Sequence, residues 1–122
     1  MALVLDAELY YIKDFSSDFS MKEISLAKLQ HYFDVTKRAL AKVKIVQAHE
    51  QQGKDFLDMA TRYYADATWF FKKDDYVHAF AALNYAHGWL DAGARARFFD
   101  VDGDSELFTV DKEWAEHKTQ CL

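Results

Sequence analysis

The chain has 122 residues, 51% of them hydrophobic, a net charge of −5 and no proline. One domain is expected at this length, and the apolar content excludes global disorder. The acidic balance argues against a nucleic-acid partner, whose binding is driven by neutralising phosphates, and no apolar run is long enough to span a membrane.

About six prolines would be usual in a chain of this size. Their absence, together with only four glycines, favours long helices with short connections over an all-β fold. The single cysteine, Cys121, has no internal disulfide partner, which fits a reducing cytoplasm. Met1 to Leu9 is apolar but carries Asp6 and Glu8 and no basic start, so it reads poorly as a signal peptide.

In chain order, residues 1–20 admit two readings. Leu3, Leu5, Ala7 and Leu9 alternate as in a strand, while Leu5, Leu9 and Ile12 suit a helix, which is the preferred reading. Ser16 to Ser20 reads as a break, and Ser20 with Glu23 forms a capping box for the next helix. That first confident helix is predicted from about Met21 to Val46, with Leu26, Leu29, Tyr32 or Phe33, Thr36, Leu40 and Val43 on its apolar stripe. A turn is expected over 47–53, a continuous helix being the alternative.

A second helix is predicted from about Lys54 to Lys73. Phe56, Met59, Ala60, Tyr63, Ala67 and Phe70 lie on one side, with Leu57, Tyr64 and Phe71 on its shoulder. Trp69 falls on the polar side, either covering a flanking helix or exposed as an anchor for a partner. Lys72-Lys73-Asp74-Asp75 is a tight connection. Its bases suit a helix end and its acids a helix start.

The third helix is predicted from about Asp75 to Phe98, and it has almost no ordinary charged face. It is expected to be the central element, enclosed nearly all round with a narrow polar strip left free. Ala79, Ala82, Ala86 and Gly93 form a seam of small residues that suits a facing helix of large aromatics. Gly88 and Gly93 each cost roughly 1 kcal/mol inside a helix relative to alanine, and close packing is expected to offset that. After a DVDGDS loop, Glu106 to Val110 is a short apolar piece. Thr109 or Asp111 could cap a last short helix through Trp114 to His117.

The segment FLDMATRYYADATWFFKKDDYVHAFAALNYAHGWLDAGAR, with the FDV and ELFTV pieces after it, resembles DUF357, a family of small, mainly archaeal proteins of unknown function. The resemblance covers about Lys28 to Val110. It implies an antiparallel three-helix bundle, and members joined to nucleotidyltransferase-like domains hint at nucleotide or cofactor metabolism. It carries over no catalytic residues. The first twenty residues and the tail after Val110 depart from the family core. The expected fold is therefore all-α: an antiparallel three-helix up-and-down bundle with additional N- and C-terminal helical segments, in one domain over 1–122.

Candidate chemistry concentrates on the third helix. Asn84, His87, Asp91 and Arg95 fall within about 80° of one another, and the four-residue steps from His87 to Asp91 to Arg95 allow contact. Gly88 borders this stripe, where a missing side chain would let a ligand or a second chain approach. A histidine oriented by a carboxylate also suits a general base or a metal ligand. The plainer reading is a solvated face with an Asp91–Arg95 pair and a buried histidine.

Metal-site patterns are absent. The five histidines show no HExxH or ExxH, and there is no CxxC. The loop from Asp100 to Asp111 imitates a calcium loop at Asp100, Asp102 and Asp104 but has Ser105 where glycine belongs and Asp111 where glutamate belongs. A polar turn is favoured there, weak calcium binding being the alternative. No arginine–histidine spacing typical of helical nucleases occurs, nor a nucleophile with a neighbouring base, nor a glycine-rich phosphate loop.

The sequence thus points to a non-enzymatic protein-interaction or ligand-binding module, with a protein partner or a homodimer through the third helix. The alternative is an enzyme or accessory subunit of nucleotide or cofactor metabolism with its site on that helix. No catalytic residue, metal or cofactor is assigned. The candidate binding or interface residues are Asn84, His87, Gly88, Asp91, Arg95, Trp69 and Trp89.

Overall fold

The structure, a computed structural model, describes residues 22–111. The expectations for residues 1–20, for Ser20 as a cap, for a helix through Trp114 and for Cys121 lie outside the described residues. Helix makes up 70% of the described residues. Three α-helices, α1 (Leu26–Lys42), α2 (Glu50–Lys72) and α3 (Tyr76–Arg95), are joined by a short 3-10 turn over Gln47–His49 and by two two-residue strands. Strand β1 (Lys44–Ile45) pairs antiparallel with β2 (Phe99–Asp100), placing Lys44 opposite Asp100 and Ile45 opposite Phe99.

Helix α1 is shorter than its apolar periodicity predicts. Ser25 caps it by accepting from the Lys28 amide at 3.1 Å. The helix ends at Lys42, because Val43 is extended and the chain runs into β1. β-Branched Val43, Ile45 and Val46 favour that geometry, and the Val46 amide continues the pairing by donating to the Phe98 carbonyl at 2.9 Å. The turn expected over 47–53 is confined to the 3-10 segment, and Gly53 lies inside α2.

α2 and α3 form a hairpin whose connection was legible in the charges. Lys73, Asp74 and Asp75 link them, with Asp74 left-handed at φ 59°. The Asp75 amide donates to the Phe70 carbonyl and the Asp74 amide to Phe71, closing the end of α2 in a Schellman arrangement. The Asp75 carboxylate then caps α3 by accepting from the His78 amide. Ring contacts fix the hairpin register: Phe71 stacks on Tyr76, Tyr63 meets Tyr85 and Phe56 meets Trp89. α1 lies across both helices, with Phe33 against Tyr64 and Phe71, and Tyr32 against Phe80.

α3 is the central element. Ala79, Ala82, Leu83, Ala86, His87, Leu90, Gly93 and Ala94 are all buried. The facing surface of α2 differs from the predicted wall of aromatics. Its buried residues are Gly53, Ala60 and Ala67, while Phe56, Tyr64, Phe70 and Phe71 pack from the rim, only partly buried. Small residues on both helices let the backbones close together, and the rings are displaced outward.

The core has two halves. Leu29 of α1 joins Ala67, Ala79, Ala82 and Leu83 at the hairpin end. At the other end Val35, Ala39, Ala60, Leu90 and Ala94 meet residues from beyond α3: Phe99, Val101, Leu107, Phe108 and Val110. Phe108 is wholly buried. The FDV and ELFTV pieces are therefore core material, and residues 101–110 reach it through turns rather than helix.

The helix glycines have different causes. A Cβ on Gly93 would collide with the Phe99 ring, and one on Gly53 would come within 2.7 Å of Ile45 and 3.2 Å of the Phe98 carbonyl. Both glycines make room for the strand pair crossing the helices. Gly88 has nothing within 4 Å of an added Cβ. Close packing thus accounts for Gly93, though against a following strand rather than the facing helix, and it does not account for Gly88.

Candidate functional site

The polar stripe of α3 is not a bare solvated strip. The chain beyond β2 folds back along it, and the stripe holds that segment. His87 is 2% exposed. Its Nε2 lies 2.7 Å from the Leu107 carbonyl and its Nδ1 lies 3.1 Å from the Thr36 hydroxyl. A carbonyl only accepts, so Nε2 carries the hydrogen and Nδ1 accepts from Thr36 Oγ1. Burial lowers the His87 pKa below the ordinary histidine value and favours the neutral ring, while Asp91 and the Leu107 carbonyl pull the other way. Asp91 Oδ1 stands 3.7 Å from Nε2, beyond hydrogen-bond range.

Asp91 and Arg95 act together on one residue. Asp91 Oδ1 accepts from the Thr109 amide at 2.9 Å, and Oδ2 accepts from the Thr109 hydroxyl at 3.1 Å. Arg95 Nη1 donates to the Thr109 carbonyl at 3.1 Å. Four-residue steps on a helix bring His87, Asp91 and Arg95 onto one line, and that line meets the backbone of Leu107 and Thr109 in the turns beyond β2. Both ring nitrogens of His87 and both oxygens of Asp91 are committed to the protein's own chain. In this arrangement His87 has no ring nitrogen left over to act as a base.

Asn84 and Trp89 are half-buried, and each keeps an unanswered polar atom: Asn84 Oδ1 and Trp89 Nε1 are buried without a hydrogen-bond partner. Trp89 is not a free surface aromatic. It packs edge-on against Phe56 at 4.9 Å and borders the half of the core that holds Phe99 and Phe108. Gly88 is exposed between the two. Trp69 is 58% exposed, lies edge-on to Phe70 and carries Lys73 Nζ at 5.5 Å from its ring centroid. It stands at the hairpin end and is not brought together with the α3 stripe.

Thr36, Leu107 and Thr109 complete the arrangement, and sequence reasoning did not single them out as polar partners. Thr36 reads as a member of the α1 apolar stripe, and its hydroxyl in an otherwise apolar row was the available signal. The loop carboxylates turn onto their own backbone. Asp100 accepts from the Asp102 amide, and Asp104 accepts from the Glu106 and Leu107 amides. Among the described residues no three His, Cys, Asp or Glu side chains are grouped to hold a metal ion, and no helix is long and apolar enough to cross a membrane.

No curated protein and no solved structure matches the chain. The family model DUF357, described as a protein of unknown function, matches residues 31–99. That span begins within α1 and ends at the first residue of β2, and it takes in α2, α3 and the Asn84–Arg95 stripe. Since the match covers more than half of the sequence, this chain belongs to the DUF357 family.

Proposed function

We propose that the protein is a non-enzymatic interaction module whose working surface is the outward side of the α2–α3 hairpin. The observation that carries this reading is the exposure of large apolar side chains there. Val77 is 68%, Trp69 58% and Tyr85 52% exposed. Large apolar side chains left exposed mark association surfaces. The polar groups that would do chemistry are meanwhile spent on tethering residues 107–109. The order of ring contacts supports an up-and-down antiparallel arrangement of the three helices within one domain. A cytoplasmic setting accords with this reading.

A second reading has one observation in its favour. Asn84 Oδ1 and Trp89 Nε1 are buried without partners on the helix that also carries the open Gly88, and a small ligand on α3 would answer them. That reading makes the protein an enzyme or accessory subunit of nucleotide or cofactor metabolism. A thermal-shift screen across nucleotides, cofactors and metals separates the two. The quantity to compare is the ligand-induced increment, because His87→Ala and Arg95→Ala lower the baseline themselves. An increment abolished by both substitutions rejects the interaction module; no increment from any compound supports it.

A further inference from the structure

The outward face of α3 differs from those of its neighbours. α1 and α2 carry Asp34–Arg38, Glu50–Lys54 and Asp58–Arg62 ion pairs on their solvent sides. On α3 the exposed residues are Val77, His78, Ala81, Tyr85, Gly88, Ala92 and Arg95, continued by Ala96 at the cap. At 100° per residue they fill an arc of roughly 100°, and from Ala81 to Ala92 that arc holds no charge. Ordinary surface helices put charged residues there.

The order of residues along this arc is self-complementary. Measured from the point midway between Ala86 and His87, Tyr85 mirrors Gly88, Ala81 mirrors Ala92 and Val77 mirrors Ala96. A two-fold axis requires that if one residue meets another, the second meets the first. Two copies of α3 laid antiparallel about that midpoint put each Tyr85 ring over the partner's Gly88 notch. Nothing in the protein's own fold fills that notch. Alanines meet alanines on either side. The ends are complementary in charge. Arg95 of one copy comes beside the Asp75–His78 pair of the other, whose own contact is 2.6 Å. The antiparallel helix dipoles also attract.

We infer that the partner of this surface is a second copy of the chain, bound through α3 in an antiparallel two-fold pair with Tyr85 seated on Gly88. This rests on the interaction-module reading and names its occupant. It also accounts for Gly88, which otherwise weakens the central helix for no packing gain. The strip is about 30 Å long and one helix wide, so the pair sits at the small end of specific interfaces, below roughly 1,000 Å² in total. An interface at that end of the range belongs with weak, exchanging pairs.

The test uses the full chain with Cys121→Ser. Ala81→Cys and Ala92→Cys variants are treated with a short bis-thiol cross-linker, each alone and then mixed. The mixture is expected to give covalent dimers. Each variant alone is not, because like positions are about 16 Å apart along an antiparallel pair. Sedimentation of the native chain is expected to show dimers between about 10 and 500 μM, with Gly88→Glu raising the dissociation constant at least tenfold. Gly88→Glu has open space for its side chain, so its dilute melting temperature should not fall. Self-cross-linking of either single variant, an undisturbed dimer in Gly88→Glu, or a native monomer at 500 μM overturns the pairing. Those failures leave a different protein partner available to the surface. Ligand-induced stabilisation that needs His87 and Arg95 overturns the interaction reading itself.

Discussion

Alanine substitutions at two glycines of α3 give a sharp test of the packing argument. Replacing a mid-helix glycine by alanine gains about 1 kcal/mol of helix propensity, part of it from a less flexible unfolded chain. At Gly88 nothing lies within 4 Å of the new methyl group, so the gain is kept. At Gly93 the methyl meets the ring of Phe99, which is 3% exposed and packs in the core with Leu90, Ala94 and Phe108. It cannot swing into solvent without opening that core. Overpacking of this kind costs about 1–3 kcal/mol and sometimes more, which against the propensity gain leaves Gly93→Ala about 0–2 kcal/mol below the native protein. The two variants should thus differ by about 1–3 kcal/mol, or roughly 3–18 °C in melting temperature at about 3–6 °C per kcal/mol. Thermal unfolding followed by circular dichroism at low micromolar concentration reads this in the dilute chain. If Gly88→Ala melts at or below Gly93→Ala, the placement of Phe99 over α3 is wrong.

Four further predictions concern the tethered segment and the buried histidine. Thr36→Val removes the donor to His87 Nδ1 and leaves a buried acceptor unanswered, at about 1–3 kcal/mol; Thr36→Ser should lose less in urea unfolding, and the reverse order would refute the hydrogen bond. Asp91→Ala should free the Thr109 amide, so its hydrogen exchange should accelerate selectively while amides in mid-α2 stay protected. The stability loss is about 1–2 kcal/mol, reduced because the Asp91 side chain is 20% exposed. The folded protein disfavours the imidazolium of His87, so the unfolded chain takes up protons first. Stability should be full above about pH 6.5 and fall as pH drops toward the lowered folded value, by at most about 1.4 kcal/mol per pH unit; a His87→Gln variant should lose that part of the pH dependence between about 7.5 and 5.5. Phe108→Ala should cost about 3–5 kcal/mol, and an unchanged melting temperature would show that residues 107–110 are not core.

The helices were legible because helices are declared locally. Periodic apolar residues marked α1, α2 and α3, and the charge reversal from Lys72 to Asp75 marked their tightest connection, both through interactions spanning only a few residues. His87, Asp91 and Arg95 were legible as one line for the same reason, since their spacing is a property of a single helix. The groups that line touches were not legible. Thr36 is 51 residues away from His87 and Thr109 is 18 from Asp91, and no local pattern announces a partner at that distance. The β1–β2 pair was equally hidden: Val43, Ile45 and Val46 continue a helical periodicity until Phe98 and Phe99 arrive to pair with them. Gly53, Gly88 and Gly93 look alike in the sequence. Only the assembled structure separates the two that make room for neighbouring chain from the one that opens onto solvent, because a glycine's cost is local and its benefit depends on what stands opposite.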